Sequence, residues 1–82
     1  MTEADKDLLK KKVDEVVILE LADGTRMLAQ VLIVFDEGET PDLFCLEVEP
    51  TPSGYVQKGA NGHSILLADI QSVSLPSEEV SA

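Results

Sequence analysis

The chain of 82 residues carries six basic against sixteen acidic side chains, a formal charge of −10, and is 44% apolar with three aromatics, Phe35, Phe44 and Tyr55. That length excludes a two-domain enzyme with a cleft between halves, and so short a chain buries only about 60–65% of its unfolded surface. A single cysteine, Cys45, excludes an internal disulfide, and no Cys/His cluster is spaced for a structural metal, so the composition predicts an aliphatic domain that gains stability by self-association in a reducing compartment.

The first segment reads as a helix over about residues 2–12. Thr2 and Asp5 form a capping box in which Asp replaces the usual Glu or Gln. Glu3, Asp5 and Asp7 crowd its start and Lys10, Lys11 and Lys12 close it, the distribution a helix macrodipole favours. Its apolar face is thin (Ala4, Leu8, Leu9, Val13), so the helix needs a surface to lie on. From Val13 the period changes to two: Val17, Leu19 and Leu21 point one way and Val16, Ile18 and Glu20 the other. Asp23-Gly24 is a turn signal, and residues 26–35 return as a second strand that becomes apolar on both faces over residues 31–35. Burial on both faces predicts a cover for the outer one, supplied by the N-terminal helix or a neighbouring subunit.

Residues 36–42, with Gly38 and Pro41, are read as a loop, and residues 43–48 as a third strand. The Pro- and Gly-rich segment 50–62 is expected to be an extended loop with some hairpin character around Tyr55-Val56-Gln57. A fourth strand over residues 64–68 and a fifth over 70–75 leave room only for a sharp bend near Asp69. Pro76 ends the sheet, and the tail 77–82 is expected to be disordered. A helix and five short strands in so small an aliphatic domain predict a mainly β fold. The expected form is a strongly bent antiparallel sheet making a small, open, SH3-like barrel, one domain over residues 1–76 with its barrel at 13–76.

Two motifs in this frame resemble a known family. Val17-x-Leu19-x-Leu21-x-Asp23-Gly24, followed by an apolar strand and Phe35-Asp36, resembles the first signature of the Sm-like (LSm) family, V-x-V-x-L-x-D-G-R-x-x-x-G-x-L-x-x-F-D. Ala29 takes the place of its glycine, Val31 that of its leucine, and Thr25 stands where arginine is common. Phe35-Asp36 comes one residue late, which requires a bulge in the second strand or a shifted alignment. Leu67-Ala68-Asp69-Ile70-Gln71-Ser72-Val73 is similar to the last two strands of the bacterial Hfq branch, without its Tyr-Lys-His or Ile-Arg-Gly motifs. The resemblance implies a helix plus a five-stranded bent barrel, and a closed homo-oligomeric ring of about five to seven subunits. It pairs Ser64, Ile65, Leu66, Leu67 and Ala68 of one copy with Ile70, Gln71, Ser72, Val73 and Ser74 of the next, and a proline at Ser72 is expected to break that pairing.

The family's single-stranded RNA site carries over poorly. In the loop after the second strand only Asp36 matches; Glu39 replaces the methionine, Thr40 the asparagine, and Ala68 or Asp69 the basic residue between the last strands. Residues 13–75 hold Arg26 and Lys58 against eleven acids, a net −9 that repels a polyanion. RNA binding is therefore expected to be weak, with Asp36, Thr40, Lys10, Lys11 and Lys12 as its candidates. His63 lacks a partner at catalytic or metal-ligand spacing, Tyr55 reads as a lid on the barrel rim, and nothing lowers the pKa of Cys45. The expectation is a non-enzymatic scaffold or binding module that needs no cofactor and contacts itself and a protein partner the sequence leaves unnamed. Two alternatives are an RNA chaperone that uses a nonstandard face and an acidic decoy that imitates nucleic acid before a basic protein. No run approaches the ~20 apolar residues of a membrane span, and an acidic start where a signal peptide would be basic predicts a cytoplasmic protein.

Overall fold

The structure, a computed structural model, describes residues 2–59 and 62–76. Helix α1 (Glu3–Lys11) begins with the expected capping box: the Thr2 hydroxyl accepts from the Asp5 N–H, and the Asp5 carboxylate accepts from the Thr2 N–H. Such a cap contributes about 1 kcal/mol. Leu9 is fully buried and Leu8 half-buried, which seats the helix on the sheet's core face. Full burial of a leucine stabilises by about 1.5–3 kcal/mol, enough to anchor two and a half turns with little other apolar surface.

The chain leaves α1 through Asp14, whose φ of 71° lies in the left-handed region, and its N–H donates to Val31 O at 2.6 Å. Strands β1 (Val16–Leu21) and β2 (Arg26–Phe35) form a hairpin in which Asp23 Oδ1 accepts from the Thr25 N–H at 2.9 Å and Gly24 supplies a φ of 91°. The fold is mainly β: β3 (Asp42–Thr51), β4 (Gly54–Gln57), β5 (His63–Leu66) and β6 (Ile70–Ser74) complete one antiparallel sheet of order β4-β3-β2-β1-β6, with β5 also on β3. The long β3 takes β5 along its first half and β4 along its second, on the edge away from β2. A 3₁₀ turn (Leu67–Asp69) makes the sharp bend expected near Asp69.

Six strands stand where five were expected. The added one, β4, is the stretch around Tyr55-Val56-Gln57, and it pairs with β3 because β3 runs on to Thr51 past Pro50. The fourth strand ends at Leu66; Leu67 and Ala68 belong to the 3₁₀ turn. The expected tail 77–82 lies outside the described residues. Along β6 a register shift opposite Glu20 and Leu21 breaks the simple alternation, so Ile70 and Val73, three residues apart, both enter the core. Val17, Leu19, Ala29, Val31, Leu43, Cys45 and Leu67 complete that core with Leu9. The sheet bends around it without closing: β5 and β6 are not paired with each other.

Candidate functional site

The backbone polar groups of an antiparallel ladder alternate in direction, so one hydrogen bond fixes where all the others point. The Ala22 N–H donates to Asp69 O at 2.8 Å, which turns the even-numbered residues of β1 toward β6. Glu20 thus pairs with Ser72 and Ile18 with Ser74 by hydrogen bonds, and the N–H of Val73 faces the open edge. There it meets Asp5 Oδ1 at 3.4 Å. Burial alone would push the Asp5 carboxyl up, but the Thr2 N–H, the Thr2 hydroxyl and the Val73 N–H together hold it below the ordinary carboxylate range. The helix cap therefore doubles as a guard on the edge of β6.

The β5 edge is built the same way. The Leu67 N–H donates to Pro41 O at 2.9 Å, so odd-numbered residues face β3, while the backbone groups of Ser64 and Leu66 face outward. Beside this edge runs a groove of about 570 Å³ lined by Leu21, Asp23, Ser64, Leu66 and Asp69. Of the expected pairing residues, Ser64, Ile65 and Leu66 lie on β5 and Ile70, Gln71, Ser72, Val73 and Ser74 on β6. Proline at Ser72 would break the ladder to β1 inside the chain and thus cannot isolate a contact between copies.

Of the candidate nucleic-acid residues, Lys10 and Asp36 are brought together and cancel each other's charge. Lys10 Nζ pairs with Asp36 Oδ2. Its hydrogen bond holds the Asp36 carboxyl below its ordinary value, and Asp36 raises the Lys10 ammonium in turn. Lys12 lies 3.8 Å from Glu15, Lys58 3.7 Å from Glu47, and His63 Nε2 3.8 Å from Glu47 as well. Lys11 and Thr40 are exposed, at the end of α1 and in the loop before β3. Cys45 is buried against the core, and desolvation with Glu47 nearby pushes its thiol up to about 11. Tyr55, on β4, borders a cleft with Val16 and Leu75 at the rim. Among the described residues no three His, Cys, Asp or Glu side chains converge to hold a metal ion.

One feature joins residues that no sequence-named site brings together. Rows Ile33–Phe44–Ser64 and Phe35–Asp42–Leu66 run across β2, β3 and β5, and they alternate with the core row Val34–Leu43–Ile65. They lie on the outer face, where Ile33 is 48%, Phe35 54%, Phe44 38% and Leu66 43% exposed. Helix α1 does not cover them, because Leu9 commits it to the opposite side. The apolar run 31–35 carried the signal; a register shift between Val31 and Ile33 then sets which of its residues face out. A scan against protein-family models and searches of curated proteins and of solved structures found no match to this chain. Among the described residues no helix is long and apolar enough to cross a membrane.

Proposed function

We propose that this chain is a divergent, acidic Sm-like protein that assembles into a closed homo-oligomer and serves as a cytoplasmic scaffold or binding module. The observation that carries the reading is the strand order itself. It leaves three strand edges unpaired within the chain, β4, β5 and β6, and the last two, of which β6 is met by Asp5 at Val73, are joined by a three-residue turn, so each copy can present two dissimilar surfaces to its neighbours. Unpaired edges in a chain of 82 residues with no disulfide are a liability that pairing between copies removes. The register shift in β2 at Leu32 supports the resemblance, since it supplies the extra residue that places Phe35-Asp36 one position late. The reading assigns no catalysis, and it gives RNA at most a weak role, because Lys10 is committed to Asp36.

Leu66→Pro tests it. Leu66 has φ −65° and ψ 136°, its side chain is 43% exposed, and its N–H faces outward, so proline fits the folded chain and removes a donor for pairing between copies together with the exposed leucine side chain. Light scattering coupled to size exclusion should give a mass about five to seven times the 8.9 kDa of the chain, and Leu66→Pro should reduce it with the circular-dichroism spectrum intact. A wild-type monomer at micromolar concentration, or an unchanged mass for the variant, refutes the assembly.

A further inference from the structure

We infer that the outer face of β2, β3 and β5 is a docking surface for a cationic, amphipathic segment of another protein, a deepening that rests on the binding-module part of the proposed function and not on ring closure. The four exposed apolar side chains of the two outer rows are contiguous: Ile33 lies opposite Phe44, and Asp42 stands between Phe35 and Leu66 on adjacent strands. With strands about 4.8 Å apart and alternate residues about 6.6 Å apart, the patch spans roughly 10 by 7 Å, room for two or three apolar anchors. Contiguous exposed apolar side chains rimmed by polar residues form a candidate interaction site.

Charge selects the occupant. Asp42 sits inside the patch, with its Oδ2 accepting from the Ser64 hydroxyl at 3.0 Å. Glu37 and Glu39 follow on the exposed loop that borders it, beyond Asp36, which is paired with Lys10 of α1. A second copy docked face to face would set these carboxylates against their own duplicates, and nucleic acid or an anionic membrane would meet the same repulsion. A segment that interleaves Leu or Phe with Lys or Arg satisfies both the apolar rows and the acidic surround. The apolar anchors give affinity and the rim charges give rate and selectivity.

The probe is a fluorescein-labelled amphipathic peptide of leucine and lysine, compared with an oligolysine of equal charge and with labelled oligo-U, all titrated against the full chain by anisotropy at about 0.15 M salt. The amphipathic peptide should bind at least about tenfold more tightly than oligolysine. Phe35→Ser should weaken it about fivefold or more and leave oligolysine unchanged; Asp42→Asn should weaken both and flatten the salt dependence. Far-UV circular dichroism and the mass by light scattering, unchanged in both variants, keep folding and assembly apart from docking. Oligolysine binding as tightly as the amphipathic peptide would reduce the surface to charge alone and overturn the inference. So would an unaltered affinity in Phe35→Ser, a lower oligomer mass in that variant, or tighter binding of oligo-U. Leu66→Pro removes one of the patch's own apolar side chains and should weaken the peptide as well as assembly, whereas a monomeric wild type that still binds the amphipathic peptide would sink the ring and leave this inference standing.

Discussion

Replacing Asp5 with alanine removes three hydrogen bonds, from the Thr2 N–H, the Thr2 hydroxyl and the Val73 N–H, and so acts on a helix cap and a strand edge together. The Thr2 hydroxyl still caps the residue-5 N–H, so the cost falls on the reciprocal half of the capping box and on a part-buried donor deprived of a charged acceptor, together about 1–2 kcal/mol. For a chain of this size that lowers the melting temperature by roughly 5–15 °C. The pH dependence has a definite sign. The folded carboxyl titrates below its unfolded value of about 3.9, so its contribution is present in full above that value and is lost as pH falls through the folded pKa. Thermal melts followed by circular dichroism should therefore separate wild type from Asp5→Ala at neutral pH, and the gap should narrow as pH falls below the ordinary carboxylate range. Amide exchange isolates the cross-contact: the Val73 N–H should exchange faster in the variant, while Leu19, its neighbour on β1, stays protected. Equal melting at neutral pH, a gap that persists in acid, or an unchanged Val73 amide would refute the reasoning.

Asp14→Gly should raise the melting temperature by a few degrees, since it relieves a non-glycine φ of 71° at an exposed position; a scanning calorimeter would register it. Cys45, buried with its thiol pushed up to about 11, should resist a disulfide reagent at about pH 8 until denaturant is added, and rapid labelling of the native chain would contradict that placement. Labelled oligo-U and oligo-A at about 0.15 M salt should bind more weakly than micromolar, given the −10 charge and the Lys10–Asp36 pair; submicromolar affinity for either would overturn the reading of the RNA site.

The capping box at Thr2 and Asp5, the Asp23-Gly24 turn, the bounds of β2 and the bend at Asp69 were legible in the sequence because each depends on residues close along the chain. The features that shape the surfaces depend on partners far apart. Asp5 meets Val73 across 68 positions of sequence, and Lys10 reaches Asp36 only because Leu9 lays α1 against the sheet. Period-two patterning also cannot locate a bulge such as the one along β6, which brings Ile70 and Val73 into the same core. The run 31–35 announced burial on both faces, and in the folded chain half of that demand stays unmet, at Ile33 and Phe35.

The dissimilarity of the β5 and β6 edges has a consequence for mixtures. If β5 of one copy takes β6 of the next, every unfinished array carries a polarity, with a bare β5 at one end and an Asp5-guarded β6 at the other. A Leu66→Pro copy keeps its β6 and can join the bare end, but it offers no further place for growth. Doped at a small fraction into wild-type protein, it becomes a one-sided chain stopper, and the distribution of array lengths then reports directly on how many copies add before a circle closes.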